Sequence, residues 1–393
     1  MQIAIVTETF PPEINGVAMT VGKLVEGLRS HQHNVLLFRP KQGSNDYPKH
    51  ELLFTEQLVN GIPIPGYHGL NIGLPNLLTL FLQLRLHKPD IVHVVTEGPL
   101  GWAAIMVAKR LNIPVTSSFH TNFHHYMAHY GAGFLQTMMA THLRSLHNAT
   151  ATTFVPTQRL IQELAQDGYN NLALLARGVD TRLYNPKRRS NDLRASWDVT
   201  EDDVIVIHVG RIAAEKNIDL VINAFSHIRQ HINRARLVLV GDGPLKEKLQ
   251  QTCPYAIFTG SKTGVELAEH YASGDLFLFP SVTETYGNVT SEAMASGLCV
   301  VAYDYAAAAE LMNNGDNGAL VTLHDEAAFI DSAMRLAINT PLRRAFAKQA
   351  AITTARLDWQ YVYTTFIHKL RDVVYKSLTP AAMARARLTG DWH

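Results

Sequence analysis

Cysteine and charge are both scarce in this sequence of 393 residues. Its two cysteines, Cys253 and Cys299, lie far apart with no Cys-x-x-Cys spacing, which excludes a disulfide framework or a cysteine zinc site and predicts a reducing compartment. Charged residues make up only 18% of the chain, and 35 Lys and Arg nearly balance 34 Asp and Glu. Because neither sign is in excess, the composition excludes a basic nucleic-acid arm and an acidic tail.

Long apolar runs are absent as well. No uncharged apolar run reaches the ~18 residues that span a bilayer, and the densest run, residues 77–84, stops at Arg85. The first six residues enter an apolar strand pattern without a basic segment or a cleavage site, so we expect no signal peptide. These absences predict a cytoplasmic protein without transmembrane segments.

Hydrophobic residues make up 47% of the chain, and short β-branched runs alternate with longer helical patterns. This alternation predicts an α/β fold with parallel sheets covered on both faces. It breaks at the polar stretch that follows Tyr184 and then restarts. We therefore predict a Rossmann-like domain over residues 1–186, a linker over 187–200, a second Rossmann-like domain over 201–357, and a C-terminal helix and tail over 358–393.

Two cations follow the first predicted strand of the second domain. Arg211 and Lys216 are separated by four residues at a strand-to-helix turn. A planar guanidinium beside a flexible ammonium group suits a diphosphate, and the following helix N-terminus favours an anion. The same spacing is compatible with a solvated loop held by surface ion pairs.

A glycine-containing turn follows the next predicted strand. Gly241 and Gly243 resemble the start of a dinucleotide-binding GxGxxG motif, but Lys246 occupies the place of its third glycine. The dinucleotide interpretation is therefore weak. A tight turn that simply requires two glycines explains the segment equally well.

The strongest local pattern is a strand, a loop and a helix over residues 276–297. The loop carries Glu284 and Gly287, and Glu292 lies just over one turn inside the helix. The amides of Gly287, Asn288 and Val289 would stand at the positive end of the helix dipole. A carboxylate can accept two hydrogen bonds from the hydroxyl groups of a ribose or a second sugar, although a capping acid and a solvated helix Glu would give the same pattern.

In the first domain, Gly16 follows the first strand and His120 follows the strand over residues 115–118. Gly16 would let a phosphate approach the backbone closely, and His120 suits hydrogen bonding or proton transfer. His125 and His129 have the spacing of a zinc pair but no Glu between them in the HExxH arrangement, and the chain has no Asp-x-Asp motif. We therefore expect no metal and no other cofactor.

Taken together, these motifs resemble the retaining glycosyltransferases of family 4, which have the GT-B fold of two Rossmann-like domains facing a cleft. Glu284-x7-Glu292 is similar to the family's EX7E motif, and Arg211-x4-Lys216 to its phosphate-binding pair. Gly16, His120 and the segment 177–180 fall in the expected order. The resemblance covers residues 10 to about 330. In the present chain Thr285 and Tyr286 replace the common Gly-Phe, and four alanines, 306–309, replace a glycine-rich turn.

The resemblance implies a role for each of these positions. Arg211 and Lys216 would hold the diphosphate of a nucleotide sugar and assist its departure, and Glu292 would bind the ribose. Glu284 would contact the transferred sugar beside the amides of Gly287, Asn288 and Val289. Gly16 would face the phosphate from the other domain, and His120 would support the oxocarbenium-like transition state.

The stretch 119–126 resembles the branch of the family that contains diacylglycerol glucosyl-, mannosyl- and sulfoquinovosyltransferases, and it implies acceptor contacts by Asn122 and Tyr126. We therefore expect transfer of a hexose from a UDP- or GDP-sugar to a lipid such as diacylglycerol, on the inner face of the plasma membrane. A soluble or undecaprenyl-linked saccharide in polysaccharide assembly is the nearest alternative acceptor. A non-catalytic nucleotide-sugar-binding protein and a dinucleotide oxidoreductase are the remaining alternatives.

Overall fold

The computed structural model describes residues 1–13, 15–63, 71–120 and 133–378, and the chain divides into two compact units. The first unit combines Met1–Ala176 with the C-terminal segment Trp359–His393, and the second comprises Arg177–Asp358. Each unit contains a largely parallel sheet of apolar strands, as the alternation of strands and helices in the sequence predicts.

The sheet of the first unit has the strand order β3-β4-β2-β1-β6-β7-β8-β9, and β5 pairs with β4. Only β3 and β5 are antiparallel to their partner. The strands are β1 (Gln2–Val6), β2 (Asn34–Pro40), β3 (His50–Glu51), β4 (Phe54–Pro63), β5 (Asn71–Leu74), β6 (Ile91–Val94), β7 (Val115–Ser118), β8 (Thr152–Val155) and β9 (Leu172–Leu174).

Helices cover both faces of this sheet. They are α1 (Gly16–Ser30), α2 (Leu77–His87), α3 (Pro99–Arg110), α4 (Gly133–Asn148) and α5 (Gln158–Gln166). Helix α1 begins at Gly16 because the side chain of Asn15 accepts a hydrogen bond from the amide of Ala18 at 2.8 Å, which satisfies one of the free N–H groups of the first turn.

The C-terminal helix belongs to the first unit rather than forming an element of its own, which corrects the predicted boundary. The helix, Trp359–Ser377, buries Phe366 and Leu370 in the core that contains Ile3 and Leu24. Because β1 alternates its side chains between the two faces of the sheet, its even-numbered residues face the other core, under α2 and α3.

The sheet of the second unit has the strand order β12-β11-β10-β13-β14-β15, and every pair is parallel. The strands are β10 (Ile205–Val209), β11 (Arg236–Val240), β12 (Ala256–Gly260), β13 (Leu276–Phe279), β14 (Cys299–Tyr303) and β15 (Ala319–Val321). The helices are α6 (Asn191–Ser196), α7 (Ile218–His231), α8 (Lys246–Thr252), α9 (Gly264–Ser273), α10 (Asn288–Ala295), α11 (Ala306–Leu311), α12 (Glu326–Ile338) and α13 (Thr340–Thr354); the C-terminal helix is α14.

The segment predicted as a linker, 187–200, is instead part of the second unit. Arg194 on α6 is 2% exposed and donates hydrogen bonds to the carbonyl groups of Ser273, Thr200 and Asp203 and to the carboxylate of Asp275. The buried hydrogen bonds of Arg194 therefore anchor this polar segment in the second unit. None of the helices in the described residues has the length and hydropathy that crossing a bilayer requires.

Candidate active site

The candidate site lies where the sheet of the second unit changes direction. From β10 the chain proceeds to β11 and β12 on one side, and from β13 it proceeds to β14 and β15 on the other. Ligands of doubly wound sheets bind outside the carboxyl ends of the strands at such a switch point. The loop after β10 carries Arg211 and Lys216, and the loop after β13 carries Glu284, so the topology brings the two loops to the same place.

Lys216 and Glu284 form an ion pair between these loops. The ammonium group of Lys216 donates to Oε1 of Glu284, and the hydroxyl of Ser281 donates to the same oxygen at 2.7 Å. Burial alone would raise the pKa of Glu284, but Lys216 and Ser281 together hold it below its ordinary value. The site thus keeps one fixed cation and one fixed anion side by side.

Arg211 lies on the same loop as Lys216. Its Nη1 donates to Oε1 of Glu215 at 3.0 Å, and about a third of its side chain is exposed. The carbonyl of Glu215 in turn accepts a hydrogen bond from the hydroxyl of Thr283 at 3.2 Å. These contacts join the two loops, and the side chain of Arg211 remains partly exposed.

Helix α10 begins directly after Gly287. This glycine has φ +84°, the left-handed region in which other residues are strained, and a Cβ there would lie 3.3 Å from Cγ of Glu284. Asn288 and Val289 form the first turn of the helix. The amides singled out in the sequence therefore belong to a helix N-terminus that starts beside Glu284, as the spacing predicts.

Glu292 lies one turn inside α10 and contacts Tyr271 of α9. The hydroxyl of Tyr271 donates to Oε2 of Glu292 at 3.0 Å. Burial raises the pKa of Glu292 to about 7, and the hydrogen bond offsets only part of that rise. At neutral pH this carboxyl is therefore near the midpoint of its titration, in contrast to Glu284.

The turn after β11 packs against the loop after β10. A Cβ at Gly241 would lie 1.9 Å from the carbonyl oxygen of Gly210, and one at Gly243 would lie 2.4 Å from that of Ile212. Both glycines also have positive φ. Close packing between two loops explains these glycines, so the tight-turn interpretation of the segment holds.

In the first unit, Gly16 is the first residue of α1, and His120 is buried two residues beyond β7. The predicted acceptor residues Asn122 and Tyr126 lie outside the described residues, as do His125 and His129. Within the described part of the chain, no group of three or more His, Cys, Asp or Glu side chains is placed to hold a metal ion.

Two other histidines of the first unit belong to its core. The ring of His93 bonds the hydroxyls of Thr116 at 3.0 Å and Ser118 at 3.1 Å. His147, which is fully buried, bonds the hydroxyl of Ser117 at 3.0 Å. Of the 12 histidines before residue 187, these two therefore have a structural role.

Sequence reasoning missed three residues at the site: Ser281, Tyr271 and His208. Ser281 lies within the strand, loop and helix pattern over residues 276–297, but its spacing gives no signal. Tyr271 lies 21 residues before its partner and reads as an ordinary helix residue. His208 is the polar residue in an otherwise apolar strand that ends at the site, and this interruption was the one available signal.

Comparison with known proteins gives the family. Residues 203–339 match the family described as glycosyl transferases group 1, and residues 14–183 match the one described as glycosyltransferase family 4. A GDP-mannose-dependent alpha-mannosyltransferase of Corynebacterium glutamicum is 32% identical over 377 residues, which cover 95% of this chain and 89% of that protein. The chain belongs to glycosyltransferase family 4.

Two further relatives lie in the branch to which the sequence motifs pointed. The sulfoquinovosyl transferase of Arabidopsis thaliana is 33% identical over 324 residues, 80% of this family 4 chain and 62% of that protein. The alpha-monoglucosyldiacylglycerol synthase of Acholeplasma laidlawii is 27% identical over 382 residues, 90% and 92% of the two chains.

Among solved structures, Anabaena HepE in complex with UDP-glucose resembles this family 4 chain with a TM-score of 0.75 at 18% identity, over 95% of this chain and all of that one. This likeness establishes the fold. The α/β GT-B class expected from the sequence motifs is confirmed.

Proposed function

We propose that this family 4 glycosyltransferase moves a hexose from a UDP- or GDP-sugar to a lipid acceptor such as diacylglycerol, with retention of configuration and without a metal ion. The observation that carries the proposal is the ion pair of Lys216 with Glu284 at the switch point of the second unit, on the loop that also carries Arg211. The names of two relatives support the nucleotide-sugar donor and the lipid acceptor of this proposal. One is named as GDP-mannose-dependent, and another synthesises a glucosyldiacylglycerol.

The two cations suit the departure of a diphosphate. When the bond between the anomeric carbon and the phosphate oxygen breaks, negative charge develops on the phosphate, and fixed positive charges stabilise the transition state more than the ground state. Lys216 is held in place by Glu284, and Arg211 by Glu215. Both groups are therefore preorganised at the place where the charge appears.

The two carboxylates suit two different sets of hydroxyl groups. Glu284 is held ionised beside Lys216 and accepts hydrogen bonds from the transferred sugar. Glu292 accepts them from the ribose, whose hydroxyl groups compete with the hydroxyl of Tyr271 for this carboxylate. The acceptor oxygen bonds to the anomeric carbon on the face that the phosphate leaves, and the acceptor proton passes to the leaving phosphate. The roles of Gly16 and His120 remain predictions from the resemblance.

A lipid acceptor is supported by the surface of helix α2. Four of its leucines are exposed, and its last turn is basic, with Arg85 and His87 before the cap residue Lys88. The exposed leucines are Leu77, Leu78, Leu82 and Leu86, at 50%, 67%, 54% and 71%. An exposed apolar face next to basic groups is typical of a helix that lies in a membrane interface.

The charge pattern around α2 agrees with this role. Asp90 and Glu97 are the two acidic residues between Glu56 and Glu163, and Glu97 is buried. Helix α3 adds Met106, which is 53% exposed, and ends in two basic residues. Such a surface suits the negatively charged face of a bilayer.

The experiment is a panel of UDP- and GDP-sugars incubated with the protein and diacylglycerol vesicles, with products identified by mass and anomeric configuration by NMR. We expect one α-glycosyldiacylglycerol. If product forms only on a soluble or undecaprenyl-linked saccharide, that saccharide is the acceptor in place of the lipid. Absence of any product would overturn the proposal.

The membrane contact is tested separately by vesicle sedimentation. The double variant Leu78→Ser/Leu82→Ser should lose binding to anionic vesicles. Leu52, which is 84% exposed on the β3–β4 turn of the same unit, supplies the control variant Leu52→Ser. If both variants lost vesicle binding equally, or if both kept it, the result would argue against α2 as the membrane contact.

A further inference from the structure

His208 lies beneath the candidate site. It is the fourth residue of β10, it is fully buried, and its ring stacks on Phe279 at 5.8 Å between centroids. Its Nδ1 lies 2.9 Å from the carbonyl oxygen of Leu278. Since a carbonyl can only accept, Nδ1 carries the proton, and in the neutral ring Nε2 presents a lone pair.

This Nε2 atom is buried without a hydrogen-bond partner among the described residues. It lies under the loop after β10, where a Cβ at Gly210 would be 3.6 Å away. A buried polar atom without a partner costs free energy that an aliphatic residue at the same position would avoid. An imidazole at this position of an otherwise apolar strand is therefore less favourable for the stability of the core than an aliphatic side chain would be.

The charged groups that act on His208 are Lys216 and Glu284, which form the ion pair of the site. Burial and, to a smaller extent, the charge of Lys216 lower the pKa of His208 to about 4, although the Leu278 hydrogen bond and Glu284 oppose the shift. The ring is therefore neutral at physiological pH, and Lys216 is the cation that acts on it.

We propose that His208 is a positioning residue that accepts a hydrogen bond from the ammonium group of Lys216 when a nucleotide sugar is bound. An ammonium group has three N–H donors. Glu284 takes one, a diphosphate oxygen takes the second, and Nε2 of His208 takes the third. With all three engaged, Lys216 has one orientation at the leaving group. This inference rests on the proposed function and adds a residue to its site.

Amide variants separate the two ring nitrogens. His208→Asn keeps a donor near the position of Nδ1 and removes the acceptor, whereas His208→Gln places an amide oxygen near the position of Nε2. We expect His208→Asn to lower kcat at least tenfold with little change in the KM of the acceptor, and His208→Gln to recover a substantial part. His270, a buried histidine of α9 that bonds the carbonyl of Glu266, gives the matched control His270→Asn, which should not alter kcat.

A double-mutant cycle with Lys216→Ala tests whether His208 acts through the lysine. We expect His208→Asn to have no further effect on kcat, or on UDP and GDP affinity by calorimetry, once Lys216 is removed. Additive losses, or equal losses in the Asn and Gln variants, would overturn the positioning role. A wild-type protein that neither binds a nucleotide nor transfers a sugar would instead overturn the proposed function.

Discussion

The hydroxyl of Tyr271 donates a hydrogen bond to Oε2 of Glu292 at 3.0 Å. A ribose that binds Glu292 must therefore share or displace the contact. The pair also links the stability of the protein without ligand to pH, because burial raises the pKa of Glu292 to about 7 from the ordinary 4.5.

Glu292→Gln should stabilise the ligand-free protein at pH 8 more than at pH 5. Between pH 4.5 and 7 the unfolded state loses its proton first, so this carboxyl lowers stability as pH rises, by up to about 3 kcal/mol. The side-chain amide of Gln cannot ionise, so the variant does not lose this stability as pH rises. Thermal unfolding of both proteins at the two pH values measures the difference, and an equal shift at both would contradict it. UDP and GDP affinity should fall in the same variant.

Replacing either cation of the site with alanine should slow sugar transfer by about 10²-fold, as loss of one charge stabiliser does. The two variants are Lys216→Ala and Arg211→Ala, and the measurement is kcat at a saturating concentration of the acceptor. Lys262, which is paired with Glu266 on the surface, gives the control Lys262→Ala. Full activity in either site variant would remove that cation from the phosphate-binding role.

Chelation with EDTA should leave sugar transfer unchanged. The chain has no Asp-x-Asp motif, and we assign charge stabilisation to Lys216 and Arg211 instead of a divalent ion. The measurement is the initial rate before and after dialysis against EDTA, with added Mg²⁺ or Mn²⁺ as the control. A rate that falls with EDTA and returns with the metal would require a metal site.

Arg194→Met should destabilise the second unit by about 3–5 kcal/mol, because it leaves the partners of a buried cation unsatisfied. Those partners are Asp275 and three carbonyl groups. The melting temperature measures the effect. Lys187, an exposed residue of the same segment, gives the control Lys187→Met. If the two variants melt alike, this segment is a linker after all.

Gly27→Ala should loosen the C-terminal helix from α1. A Cβ at Gly27 would lie 2.3 Å from the ring of Tyr363, so the ring and its helix must move, at a cost of about 1–3 kcal/mol. Gly43 has no atom within 4 Å of its virtual Cβ and supplies the control Gly43→Ala. Hydrogen exchange of α14 in both variants locates the change.

The strands that form the centres of the sheets were predictable from sequence, because a buried parallel strand is apolar on both faces. One of them, Val115–Ser118, has the bounds expected from the sequence. The long strand Phe54–Pro63 was missed because it is only half-buried and mixes polar with apolar residues. Half-buried strands of this kind carry no continuous apolar run.

The candidate site was predictable as far as spacing reaches. Arg211, Lys216 and Glu284 were singled out, but the pairing of Lys216 with Glu284 spans 68 residues and follows from strand order. The misplaced linker has the same cause. Arg194 reads as a solvated residue until Asp275, 81 residues later, lies beside it. Contacts over such distances leave no periodic trace in the sequence.

Helix α14 packs in the first unit but follows the second unit in sequence. The first unit can therefore be completed only after the second has been synthesised. Residues 177–358 form the second unit, and Phe366 and Leu370 then enter the core of the first. A ribosome therefore delivers all of the second unit before it releases the helix that closes the first. The part of the chain that is synthesised earliest exposes apolar surface for longest, and it is this part that most needs protection from aggregation during translation.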